Sequence, residues 1–115
     1  MKTIYDQLKI LSESLKLCFE EQDWGIINAD GKRLEEFIGV YASPMLSKEM
    51  RYQMFELILA SANDALVDDL DDGSTILVIQ EFIRRHGKDY PEQVSYWADL
   101  KEADEFPLAD VLKNM

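Results

Sequence analysis

Apolar residues at Ile4, Leu8, Leu11, Leu15 and Cys18 recur in alternating steps of four and three, the spacing of one helical face. They predict a first helix from Thr3 to about Gln22, with Lys9, Glu13, Lys16 and Glu20 paired on its wet side. Trp24, Ile27, Gly31, Leu34, Ile38 and Tyr41 continue the same rhythm behind Asp23, whose carboxylate can cap a helix start. This predicts one helix running through Gly31; the competing reading breaks the chain at the Asp30-Gly31 turn dipeptide.

Ser43-Pro44 closes that segment, because proline is excluded from helix interiors and restricts the residue before it. Ser47 then caps a third helix that carries Met50, Met54, Leu57, Ile58, Ser61 and Ala65 on one face and runs into a cluster of aspartates. The run Thr75-Ile76-Leu77-Val78-Ile79 follows a Gly73-Ser74 break and ends in Arg84-Arg85-His86-Gly87. Apolar on nearly every side, it predicts the central helix around which the others pack, capped by Ser74 and closed by basic side chains and a left-handed Gly87. Pro91 opens a fifth helix with Val94, Trp97 and Leu100 on its apolar face, and Leu108, Val111 and Leu112 form a closing helical turn after Phe106-Pro107.

Only Thr75 to Ile79 is rich in strand formers, and no partner run exists for it. The chain is therefore expected to be all-α, a single domain over residues 1–115 built as an antiparallel bundle of about five helices. Glu36-Phe37-Ile38 recurs as Glu81-Phe82-Ile83 at an offset of 45 residues, which makes HEAT-like helical hairpins the alternative arrangement.

Length and composition agree with one ordinary core: 115 residues, 47% hydrophobic and 30% charged. Charge changes the picture more. Twenty-three acidic residues against twelve basic give a formal net charge of -11, which repels nucleic-acid phosphates and anionic membranes and steers basic partners inward. Cys18, the only cysteine, has no internal partner, and its neighbours Leu17 and Phe19 predict a packed, reduced thiol. No secretory signal or membrane span is visible, so a cytoplasmic location is expected.

Catalytic chemistry finds little support. An EF-hand register that places Gly73 sixth puts Leu70 third and Ile79 twelfth, where oxygen ligands are required. The carboxylate pairs Glu20/Asp23, Asp64/Asp68 and Glu102/Glu105 have the spacing used by magnesium-dependent all-α nucleotide hydrolases, the alternative functional class, but no basic cluster accompanies them to hold a polyphosphate. His86, the only histidine, is accounted for as a helix C-terminal cation. No pattern asks for a cofactor or metal, and the chain reads as a non-enzyme.

Surface recognition remains. The acidic candidates are Asp64, Asp68, Asp69, Asp71 and Asp72 and, in the C-terminal third, Asp99, Glu102, Asp104 and Glu105. With Asp89 and Glu92, this second group is interleaved with Tyr90, Tyr96, Trp97 and Phe106, the mixture of aromatic anchors and charge seen at protein-binding hot spots, and Tyr90 and Tyr96 are the aromatic contact candidates. Trp97 and Phe106 are equally explained as side chains that pack the last helix on the core.

A small, strongly acidic, all-helical chain with the Asp23-Trp24 helix start and the Trp97 to Phe106 stretch resembles the immunity proteins of bacterial toxin systems. It specifically resembles the all-α immunity protein 30 type found with polymorphic and contact-dependent toxins. The resemblance implies a non-enzymatic inhibitor that binds a cognate toxin in the producing cell; the other non-enzymatic reading is a helical scaffold or subunit with a different protein partner.

Overall fold

The computed structural model describes residues 3–68, 73–102 and 105–115. Among them the chain is helical without a strand: α1 (Ile4–Leu15), α2 (Trp24–Ile27), α3 (Leu34–Tyr41), α4 (Lys48–Val67), α5 (Ser74–His86), α6 (Pro91–Ala98) and α7 (Pro107–Lys113). Two 3-10 turns, Gly31–Arg33 and Gly87–Asp89, join α2 to α3 and α5 to α6. The all-α expectation holds, with seven helices in place of about five.

The centre of the fold is α4, not the helix after the aspartates. Met54, Phe55, Leu57, Ile58, Leu59 and Ala62 have no accessible surface, and α1, α2, α3, α5 and α7 all lie against this one helix. Small residues explain it: Ala60, Ser61, Ala62 and Ala65 let neighbouring backbones approach α4 on several sides. By contrast, α5 buries only Ile79, Phe82 and Ile83 and leaves Leu77 68% exposed, because Glu81, Arg84 and Arg85 keep one side in water. Burying a leucine or isoleucine fully contributes about 1.5–3 kcal/mol, so the uninterrupted apolar turns of α4 outweigh the one-sided stripe of α5.

α1 starts on a capping box, in which the Thr3 hydroxyl accepts from the Asp6 amide at 3.0 Å and the Asp6 carboxylate accepts from the Thr3 amide at 3.2 Å. It stops well short of Gln22, because Lys16 turns left-handed (φ 59°) and the Leu17 amide closes back on the Ser12 carbonyl at 2.8 Å. Cys18 thus lies beyond the helix and is exposed, contrary to the packed thiol expected. Its backbone is held by the Asn28 amide, which donates to the Cys18 carbonyl and accepts from its N–H, both at 2.9 Å.

The break at Asp30-Gly31 occurs, so the continuous helix through Gly31 does not form. A Cβ at Gly31 would stand 2.6 Å from the Ala65 backbone nitrogen, and the Asp30 amide donates to the Ser61 hydroxyl at 3.0 Å. Glycine is needed there for close approach to α4. Trp24 is buried on the other side of this segment, its indole N–H donating to the Ser12 hydroxyl at 2.8 Å. Two further details differ from the sequence reading: Gly73 (φ 99°) is the left-handed residue and caps α5, while Gly87 is right-handed and leads into the 3-10 turn.

The C-terminal elements are tied to α4 by side-chain amides. Asn63 donates to the Glu105 carbonyl at 2.9 Å and accepts from the Leu108 amide at 3.2 Å; Gln93 donates to the Tyr52 carbonyl at 3.2 Å. Trp97 meets Phe106 edge-on at 6.3 Å, so this pair does pack the end of the chain onto the core. The described residues contain no helix long and apolar enough to cross a membrane.

Candidate protein-binding surface

The segment from Asp23 to Gly31 runs parallel to α4, with Gly25 against Leu57, Asp30 against Ser61 and Gly31 against Ala65. That register sets Asp23 beside Glu56 and Asp30 beside Asp64. The two meeting points are eight residues apart on α4, about 12 Å at the rise of an α-helix.

At both, like charge meets like. Burial pushes the Glu56 carboxyl above its ordinary range and the neighbouring Asp23 carboxylate pushes it further, while the Gly25 N–H offsets part of this by donating to it. Asp64 is raised by burial, then by Asp68 and Asp30. At the Glu56 end no arginine compensates the pair, whereas at the other end the Arg33 guanidinium also feels Asp30. Arg33 forms a two-pronged pair with Glu36 at 2.7 and 2.8 Å, Arg84 and Arg85 both engage Glu81, and Arg51 donates to the Tyr41 and Ser43 carbonyls.

A cleft of about 270 Å³ opens at the Asp23 end of this seam, between α2, α4 and α6. Its acidic lining is Asp23, Glu56 and Glu92, and its aromatic lining Tyr52, Tyr96 and the largely buried Trp97. Asp23 adopts a left-handed conformation (φ 57°) and makes no side-chain capping bond, unlike the cap expected of it. Among the described residues no lysine, arginine or histidine lines the cleft. A second hollow of about 440 Å³ continues past Tyr52, Glu92 and Gln93 toward Asp89 and Lys48.

The residues singled out in the sequence fall in several places. Asp64 is half-buried on α4 and Asp68 is its exposed C-cap, while Asp69, Asp71, Asp72 and Asp104 lie outside the described residues, as do the second to fifth positions of the EF-hand register. Asp99, Glu102 and Glu105 are exposed. Through Asn63, the segment bearing Glu105 is fastened to the same end of α4 as Asp64. Tyr96 is 61% exposed on the rim of the cleft. Tyr90 is half-buried, its ring tilted against Phe55 at 4.6 Å and meeting Tyr52 edge-on at 5.9 Å.

Sequence reasoning passed over Glu56, and took Glu92 only as one of the acidic residues among the C-terminal aromatics and Asp30 only as half of a turn dipeptide. Glu56 carries a usable signal, being the one charge between Met54 and Ala62. His86 is wedged between Tyr41 and Phe82, with ring centroids at 4.9 and 5.0 Å, and burial lowers its pKa. Among the described residues no three histidine, cysteine or carboxylate groups come together in an arrangement that could hold a metal ion.

Comparison of the chain with protein-family models, with curated proteins and with solved structures gave no match.

Proposed function

We propose that this chain is a non-enzymatic inhibitor that binds and neutralises a basic protein partner, in the manner of an immunity protein acting on a bacterial toxin domain in the cytoplasm of the producing cell. The observation that carries the reading is the seam along α4, where two half-buried carboxylates each face further carboxylates and no arginine pairs with Glu56 or Asp23. Such an arrangement costs the free protein stability and is relieved by a cation supplied from outside.

A net charge of -11 adds long-range attraction for a basic domain, accelerating encounter, while Tyr52 and Tyr96 offer aromatic area that sets the lifetime of the complex. The exposed carboxylates Asp68, Asp99 and Glu102 extend the same field around the end of α4. The test is co-expression with a toxin domain encoded beside the gene. Growth rescue by the wild-type chain, and its loss when Asp23, Glu56, Asp64 and Asp68 are changed to lysine in a chain that still folds, are expected. Rescue that survives charge reversal contradicts the electrostatic basis, and absence of rescue by the wild-type chain contradicts the immunity role.

A further inference from the structure

We propose that the cleft between α2, α4 and α6 is the seat for one arginine side chain of the protein partner, held by Asp23, Glu56 and Glu92 and flanked by Tyr52 and Tyr96. The inference rests on the proposed function and assigns the chemical group and the place at which it is met.

Four features select the occupant. The carboxylates come from three separate elements around a space of about 270 Å³, the scale of a side chain and not of a helix. They do not converge as a metal site would, since the described residues form no such group, so a compact ion is matched less well than a flat, extended cation. A guanidinium has five donors in a rigid fork and can bridge carboxylates on different elements, which an ammonium on a flexible stem does less well. Tyr52 and Tyr96, 46% and 61% exposed, present ring surface on which its plane can stack.

The fourth feature is independent of the acidic cluster. Gln93 lines this cleft and is 93% buried, being 7% exposed, yet its Oε1 has no hydrogen-bond partner among the described residues. The amide orientation is fixed, because Nε2 donates to the Tyr52 carbonyl at 3.2 Å and a flipped amide would set oxygen against oxygen. Buried acceptors are almost always satisfied, so an orphan in the wall of an acidic cleft marks the place of a missing donor. A guanidinium entering between Tyr52 and Tyr96 supplies that donor together with the positive charge.

The cleft also depends on Gly25. A Cβ there would lie 2.7 Å from the Leu57 backbone nitrogen and 3.0 Å from Glu56 Cγ, so only glycine brings the chain close enough for its N–H to orient the Glu56 carboxylate.

The test is an amide and side-chain NMR titration of the full chain with N-acetyl-arginine N-methylamide, run against the lysine and citrulline analogues at matched ionic strength. Saturable shifts at the Gly25 amide, the Gln93 side-chain amide and the Trp97 indole are expected with the arginine derivative, and none with citrulline, which keeps the shape without the charge. Glu56→Gln and, as an independent variant, Asp23→Asn should each weaken binding about tenfold, while Glu35→Gln, exposed on α3 and away from the cleft lining, should leave it unchanged. Equal or stronger binding of the lysine derivative overturns the choice of arginine, and shifts centred on Asp64 and Asp68, or no saturable shift, overturn the seat. The toxin co-expression result separates the two levels: growth rescue by a chain whose cleft takes no arginine removes this inference and leaves the proposed function standing.

Discussion

Asp23 stands beside Glu56 although α2, a 3-10 turn, α3 and the first two turns of α4 separate them in sequence, and no arginine of the chain bridges the pair. The contact raises the Glu56 pKa in the folded protein, as Asp68 and Asp30 do for Asp64. A carboxyl whose folded pKa lies above its unfolded value binds protons more tightly when folded. Its contribution is therefore lost as pH rises from the ordinary carboxylate range through the raised folded value, and both groups oppose folding at neutral pH. Glu56→Gln and Asp64→Asn are each expected to raise the thermal midpoint at pH 7 by roughly 2–4 °C, the shift for about half a kcal/mol after solvent screening. The gain should shrink at pH 4.5. Thermal unfolding followed by circular dichroism at the two pH values checks this, and a midpoint lowered at pH 7 would mean that the carboxylates are already compensated.

Glycine plays opposite parts at different points of the chain. Gly25→Ala and Gly31→Ala place a Cβ 2.7 Å from the Leu57 nitrogen and 2.6 Å from the Ala65 nitrogen, where backbone cannot give way, and each should cost about 1–3 kcal/mol. Gly39 lies inside α3 with nothing within 4 Å of a built Cβ, so Gly39→Ala should stabilise by about 0.5–1 kcal/mol. Urea unfolding of the three variants gives the comparison; similar effects at all three sites would contradict the close approach to α4.

The Trp24 indole is buried and donates to Ser12, whose hydroxyl donates in turn to the Leu8 carbonyl at 2.8 Å. Ser12→Ala leaves that N–H buried without a partner and should destabilise by about 1–3 kcal/mol, far more than an exposed serine would. Ser14, exposed on the same helix and bonded to the Leu11 carbonyl, is the control. Equal effects of Ser12→Ala and Ser14→Ala in urea titrations would show that the indole finds another acceptor.

Much of the helical order is legible in the sequence. The Leu8, Leu11, Leu15 stripe, the Ser47 cap and Pro91 at a first-turn position all do locally what their chemistry dictates. The identity of the central helix is not, because Met54 to Leu59 and Thr75 to Ile79 are both nearly continuous apolar runs. What separates them is whether neighbours exist on every side, which depends on the small residues of α4 and on how the whole chain packs. The Asp30-Gly31 break shows the same limit: apolar periodicity continues across it, and tertiary contact with Ser61 and Ala65 overrides that rhythm. The cleft could not be read at all, since Asp23, Glu56 and Glu92 come from distant segments and are brought together only by folding.

The central claim is that the Glu56 end of the seam is an acidic site awaiting a cation from outside the chain. Carboxyl carbon NMR measures it most directly, by following the Glu56 side chain through a pH titration with and without saturating N-acetyl-arginine N-methylamide. The account predicts that Glu56 titrates above the ordinary glutamate range in the free protein and moves downward when the arginine derivative is present, with the citrulline analogue having no effect. A Glu56 that titrates at or below the ordinary range, or one that does not move on adding the arginine derivative, would contradict it.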